Sequence, residues 1–309
     1  MSTKVFSLGR EGGDDGSFKR QASRFRSTDV EAEPGRYHLY VSWACPWAHR
    51  TVIARRLKGL EDAIGMSVVD PHRDDAGWAF TGGEFTDEVN GFRFLGEAYD
   101  ATDPDFDGRY SVPVLWDKVE GRIVNNESAD VLRLLDTAFQ PLATTDVVLV
   151  PESLRADIDA LNERIYDRVN NAVYKAGFAT RQEVYEREVV TLFDTLDELD
   201  ERLGATRFLF GDAPVETDWR LFTTLIRFDA VYAIHFKCSL QRITEYEHLW
   251  PYLRDLYQTP GVAETVDFDH IKRHYYVTHR EINPNGIVAL QPRGDFTAPH
   301  GRAALSAAG

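Results

Sequence analysis

The hydrophobic period of this chain changes once, across residues 141–152, and that change limits the architectures open to it. Before it, short runs rich in β-branched and aromatic residues alternate with helical stretches, opening with the pattern of a β-α-β unit. After it, apolar residues recur three and four apart almost throughout. The chain of 309 residues is long enough for two modest cores. The expectation is therefore an α/β domain over 36–140, a linker over 141–152 and an all-helical domain over 153–280. Residues 1–35, rich in Gly, Arg, Asp and Ser, read as an arm lying over a folded body, and 281–309 as a C-terminal extension.

The first domain turns on one junction. Tyr37-His38-Leu39-Tyr40-Val41 has strand composition and runs into Ser42-Trp43-Ala44-Cys45-Pro46-Trp47-Ala48-His49-Arg50. Pro46, Ala48, Val52, Ile53 and Leu57 then continue at helical spacing. Cys45 is predicted to be the N-cap of that helix, where unpaired N–H groups and the helix dipole stabilise a thiolate. Pro46 suits the first helical position, which needs no N–H. His49, Arg50, Arg55 and Arg56 are expected to add positive potential.

A Cys-Pro-x-x motif at a strand-to-helix junction is how thioredoxin-like folds present a nucleophilic sulfur, but Ala48 stands where a dithiol pair has its second cysteine. A lone thiol that forms a mixed disulfide needs an external thiol to resolve it, such as glutathione. The opposing reading is a buried, inert cysteine.

Ile64–Val69 reads as a second, parallel strand, and 70–108 as a long insertion, either functional or disordered, with aromatic residues that anchor it. Trp78 in that loop suits a wall for a peptide-like thiol. Tyr110-Ser111-Val112-Pro113-Val114-Leu115-Trp116-Asp117 reads as a strand entered through proline. In thioredoxin-like folds the matching proline is cis, and the backbone before it pairs with the bound thiol like an added strand. Arg109 precedes it and suits a carboxylate. Ile123-Val124 forms a last short strand before Asn125-Asn126-Glu127-Ser128 and a helix over 129–137. Glu127 or Ser128 either caps that helix or takes part in binding, where amides would receive an α-carboxylate. In the second domain the stripes run from Leu154 to Val173, Tyr185 to Leu203 and Leu221 to Tyr232, with further helices over 250–257 and 267–278. Tyr174 stands one residue off its stripe, and Tyr232 lies on one. These, with Tyr275 and Tyr276, are each either packing or catalytic residues.

Composition removes other classes. Fifty acidic against thirty-five basic residues give a net charge of -15, which argues against a nucleic-acid partner. Seven of those basic residues are lysine, a bias that fits either a salt-adapted host or GC-rich coding. Two distant cysteines fit a reducing cytoplasm, and no segment reaches membrane-spanning length or resembles a signal peptide. His270, His274 and His279 lack the partners of a metal set, so no metal is expected. Neither a Gly-rich phosphate loop nor a Gly-x-Ser-x-Gly elbow is present. Cys238 follows an aromatic stretch and reads as structural, which leaves Cys45 to carry the chemistry.

These residues together resemble a family, the xi-class glutathione transferases or glutathionyl-hydroquinone reductases. Gly35–Val41 running into Cys45-Pro46-Trp47-Ala48-His49-Arg50 carries the likeness, with Val112–Asp117, Val124–Ser128, Asn170–Phe178, Trp219–Asp229, Ile282-Asn283-Pro284 and Gly286-Ile287-Val288. The resemblance implies a thioredoxin-like N-terminal domain, an all-α glutathione-transferase-type C-terminal domain and a homodimer. It implies removal of glutathione from glutathionyl-hydroquinones, with no permanently bound cofactor and with glutathione, or γ-glutamylcysteine in a salt-loving host, as co-substrate. Carried over, Cys45 is the nucleophile and Tyr174 the proton donor. Trp78, Arg109, Tyr110, Ser111, Val112, Glu127 and Ser128 form the thiol site, and Tyr232 and Tyr275 help hold the sulfur as thiolate. A general monothiol thioltransferase or dehydroascorbate reductase, and a non-catalytic carrier of aromatic ligands, are the alternatives. One departure is Val215, where the family tends to have a Ser or Thr helix cap, a loss of about 1 kcal/mol.

Overall fold

The computed structural model describes Gly13 and residues 15–307; the remainder of the arm and the last two residues lie outside the described residues. Contacts group the described chain into two units: Arg20–Val147 with Thr265–Thr278, and Val148–Glu264 with the segments ending at Lys19 and beginning at His279.

The first unit is built on β1 (Tyr37–Val41), α1 (Pro46–Leu57), β2 (Gly65–Val68), β3 (Arg73–Asp74), β4 (Gly77–Trp78), α2 (Gly96–Thr102), β5 (Val114–Asp117), β6 (Arg122–Asn125) and α3 (Ser128–Asp136). Four strands form one mixed sheet in the order β2-β1-β5-β6. β1 runs parallel to β2, with Leu39 opposite Met66, and antiparallel to β5, with Leu39 opposite Leu115. All five residues of β1 are buried, as expected of a central strand covered on both faces. β6 is an edge, and the arm covers it: Ser27 N–H donates to the Val124 carbonyl at 3.2 Å and Asn126 N–H to the Phe25 carbonyl at 2.9 Å.

Residues 70–108 are more structured than the sequence implies. β3 and β4 pair around a tight turn in which Gly77 adopts φ +92° and Ala76 N–H donates to Asp74 at 2.8 Å. α2 follows, seven residues long, with no side-chain cap. Without a cap or a full apolar stripe, packing of Ala98 and Tyr99 decides its helicity.

The second unit contains α4 (Arg155–Ile165), α5 (Ala172–Gly177), α6 (Gln182–Leu203), α7 (Glu216–Arg227) and α8 (Leu249–Tyr257). The stripe that reads as one helix from Leu154 to Val173 is interrupted by a π turn over Tyr166–Asn170, and a second π turn, Phe228–Tyr232, follows α7. At α7 the N-cap is Val215, whose side chain offers no acceptor. Asp218 compensates: its carboxylate accepts the N–H groups of Val215 at 2.8 Å and Leu209 at 2.9 Å, and the Tyr252 hydroxyl at 2.8 Å. The last helix, α9 (Phe268–Thr278), packs with the first unit rather than with the helices that precede it in sequence. No helix among the described residues is long and apolar enough to cross a membrane.

Candidate active site

Cys45 is the N-cap of α1, with extended backbone (φ -78°, ψ 117°), and Pro46 is the first helical residue. Its N–H donates to the Ser42 carbonyl at 3.1 Å and its carbonyl accepts the His49 N–H at 2.9 Å. The first turn of α1 has no acidic residue to oppose the positive end of the dipole. The sulfur is half-buried, with Sγ 3.6 Å from the Val112 carbonyl oxygen. The peptide bond that follows, Val112–Pro113, is cis.

Around this junction the charges divide. Arg50 lies 4.8 Å over the Trp47 ring, and Arg20 from the arm lies 4.7 Å over it. Arg55 and Arg56 serve the far end of α1 instead: Arg55 donates to the Ile64 carbonyl at 2.6 Å and Arg56 pairs with Glu61 at 2.7 Å. Their expected contribution near the sulfur is therefore corrected, because about three turns of helix carry them to its C-terminal end. α9 backs the junction, with His270 Nε2 3.2 Å from Ser42 Oγ. Thr265, just before α9, lies 2.8 Å from His49 Nε2.

The expected thiol residues share this unit. Trp78 is buried, stacked on His274 at 4.7 Å with Arg73 5.4 Å over its ring. Residues 109–112 lead into the cis bond, before β5 rather than within it. Arg109 N–H donates to Gln21 Oε1 at 2.8 Å. Burial and the neighbouring Asp100 carboxylate push the Tyr110 hydroxyl up to about 12. Ser111 is clamped by Tyr99, whose hydroxyl donates to its carbonyl and accepts its N–H. Glu127 caps α3, accepting the Ala129 N–H at 3.2 Å, and Ser128 is buried beside it. The capping role of Glu127 is thus realised. Tyr275 lies on α9, buried against His274.

Tyr174 and Tyr232 belong to the other unit. Both are buried, with ring centroids 6.0 Å apart, in a cluster with Phe18, Phe178 and Phe236. Each adjoins a π turn: Tyr174 follows the first, and Tyr232 ends the second. The extra residue that such a turn inserts accounts for Tyr174 standing off its stripe.

The three late histidines have separate duties. His270 meets Ser42, His274 Nδ1 lies 2.9 Å from the Pro71 carbonyl, and His279 Nδ1 lies 3.1 Å from His235 Nε2. Among the described residues no group of three or more His, Cys, Asp and Glu is arranged to hold a metal ion. Cys238 is buried, and burial drives its thiol far above the ordinary range. Sequence reasoning missed Tyr99 and Asn126, which bond to each other at 3.1 Å behind Ser111. Tyr99 lies in the stretch that reads as loop, and nothing in its spacing marks it.

A mixed four-stranded sheet with a lone N-cap cysteine facing the residue before a cis proline, joined in sequence to an all-helical unit, defines a glutathione transferase. Models of the glutathione S-transferase N-terminal and C-terminal domains match residues 44–138 and 182–257. The chain is 48% identical over 303 residues to glutathionyl-hydroquinone reductase YqjG of Escherichia coli K12, covering 93% of this chain and 92% of that one. It is 46% identical over 282 residues to glutathionyl-hydroquinone reductase PcpF of Sphingobium chlorophenolicum, covering 90% of each. Among solved structures, the xi-class enzyme of Natrialba magadii superposes with TM-score 0.90 at 50% identity, over 94% of this chain and 96% of that one. The glutathione-bound structure of YqjG gives TM-score 0.86 at 51% identity, over 88% and 89%. The chain belongs to the glutathionyl-hydroquinone reductase family, the xi class of the glutathione transferases.

Proposed function

We propose that this protein is a glutathionyl-hydroquinone reductase that uses glutathione as co-substrate and Cys45 as its nucleophile. The observation that carries the reading is the setting of Cys45: a single thiol at a helix N-terminus, 3.6 Å from Val112, with Ala48 where a second cysteine would resolve a disulfide internally. Relatives named for this activity at 46% and 48% identity support it, as does a related structure with glutathione bound.

The reaction has two steps. The Cys45 thiolate attacks the sulfur of the glutathionyl thioether, so an S–S bond forms and the carbon–sulfur bond breaks. The electron pair goes to the aromatic carbon, which takes a proton; in the family reading Tyr174 supplies it. Hydroquinone leaves reduced, and Cys45 is left in a mixed disulfide with glutathione. A second glutathione thiolate then attacks that disulfide, releasing glutathione disulfide and restoring Cys45, which gives ping-pong kinetics. Trp78, residues 109–112, Glu127 and Ser128 hold the peptide of the thiol in this reading. Tyr232 and Tyr275 stabilise the thiolate by hydrogen bonding to the charged form. The working form is a homodimer.

Incubation with a glutathionyl-hydroquinone and excess glutathione should release hydroquinone and glutathione disulfide in equal amounts. A mass spectrum of the protein mixed with the glutathionyl-hydroquinone alone, with no free glutathione to resolve the disulfide, should show Cys45 carrying one glutathione. Turnover of simple disulfides or dehydroascorbate alone, with the thioether left intact, would replace this reading with a general thioltransferase.

A further inference from the structure

Three residues within one four-residue stretch of the arm reach three separate parts of the thiol site. Arg20 lies over Trp47, two residues from Cys45. Gln21 Oε1 accepts the backbone N–H of Arg109 at 2.8 Å. Ser23 Oγ donates to Glu127 Oε2 at 2.9 Å. The next residues fasten the arm independently of these contacts. Phe25 N–H donates to Asn126 Oδ1 at 3.1 Å, and Arg26 makes two bonds of 2.8 Å to Asp130.

The Glu127 contact is the informative one. A free glutamate carboxylate turns almost freely about its last torsion. Here Oε1 is tied to the Ala129 N–H of α3, and Oε2 is tied to the Ser23 hydroxyl. A carboxylate held at both oxygens keeps its remaining lone pairs aimed in one direction, so a ligand ammonium group meets it without an ordering cost. The cap alone fixes one oxygen; the arm fixes the other.

We propose that the arm is part of the thiol site, with Ser23 a positioning residue that orients Glu127 and Gln21 one that fixes the backbone at Arg109. The arm then sets affinity for the thiol and leaves the step at sulfur to Cys45. This rests on the reading above that residues 109–112 with Glu127 and Ser128 hold the thiol.

Calorimetric titration with S-methylglutathione, which binds but cannot react, tests it on the full chain. Ser23→Ala should weaken binding roughly 10-fold, the usual effect of losing a hydrogen bond to a charged group. Ser23→Thr, which keeps the hydroxyl, should restore it. In steady state the KM for the glutathionyl substrate should rise in Ser23→Ala while kcat at saturation holds. Unchanged binding in Ser23→Ala, failure of Ser23→Thr to restore it, or a loss confined to kcat would each overturn the proposal. If the unsubstituted protein does not bind S-methylglutathione, the thiol reading falls and this proposal with it. If it binds and Ser23→Ala binds equally well, this proposal alone falls.

Discussion

The Tyr99 hydroxyl donates to the Ser111 carbonyl at 2.7 Å and accepts the Ser111 N–H at 3.1 Å, closing both backbone groups of one residue with one side chain. The same oxygen accepts from Asn126 at 3.1 Å. Tyr99→Phe therefore leaves three polar groups without this partner while preserving the ring. A stability loss of about 3 kcal/mol is expected, together with weaker binding of S-methylglutathione. Urea denaturation checks the first effect, and a loss below about 0.5 kcal/mol would show that water replaces the hydroxyl fully.

Lys58 is fully buried at the end of α1, and its ammonium group contacts Asp136 at 3.1 Å, the Val147 carbonyl at 2.6 Å and Gln140. Lys58→Met keeps the volume and takes away the buried cation that Asp136, Val147 and Gln140 contact. The expected cost is about 3–5 kcal/mol. Lys58→Met with Asp136→Leu should recover part of it, since the carboxylate facing the lost ammonium group goes with it. Equal stability of the single and double variants would refute the pairing.

Acid should destabilise the fold well above the carboxylate range. Burial pushes His38 and His235 down to about 4 and His274 down to about 3. Their folded values lie below the ordinary 6.5, so each contributes stability that is complete above 6.5 and is lost as the pH falls toward 4. Asp218, pushed up to about 6 by burial, works in the opposite sense, favouring the folded state as it protonates. Among these four groups the three histidines outweigh the one carboxylate, so together they take up protons on unfolding between pH 6 and 4 and give stability a downward slope as the pH falls. His38→Asn should remove about one proton from that slope. A flat stability profile from pH 6.5 to 5 would contradict the assignment.

Cys45 and Tyr174 have separable tasks in the proposed cycle. Cys45→Ala should abolish thioether cleavage and disulfide exchange alike. Tyr174→Phe should slow thioether cleavage by ~10²–10⁴-fold, the usual worth of a general acid, and spare disulfide exchange, whose thiolate leaving group needs no proton. Equal losses of both activities in Tyr174→Phe would return that tyrosine to its packing role among Phe18, Phe178 and Phe236.

Where local chemistry decided the structure, the sequence was sufficient. β1 is a continuous run of strand formers, Pro46 marks the helix start, and the stripe from Tyr185 to Leu203 ends at Gly204, as α6 does. The parts that escaped depend on partners far along the chain. α2 has neither cap nor stripe and is held by packing. Arg55 and Arg56 looked close to Cys45 in sequence, but helix rise carried them away from it. Glu127 reads from the sequence as cap or ligand because its second tether, Ser23, lies 104 residues away in a segment without periodicity. Val215 does lack a capping side chain, but its spacing does not show that Asp218, three residues on, reaches back to the Val215 N–H and also takes Leu209 and Tyr252.

The π turn over Tyr166–Asn170 sets the angular phase of everything after it. One residue more per turn advances the helix face by about 100° relative to an uninterrupted α-helix. Deleting a single residue there would make the backbone more regular, yet it would swing Tyr174 a quarter-turn or more away from Tyr232. The chain thus counts residues at this point rather than merely choosing them: substitutions within the turn are local events, whereas a one-residue change of length re-aims the next helix.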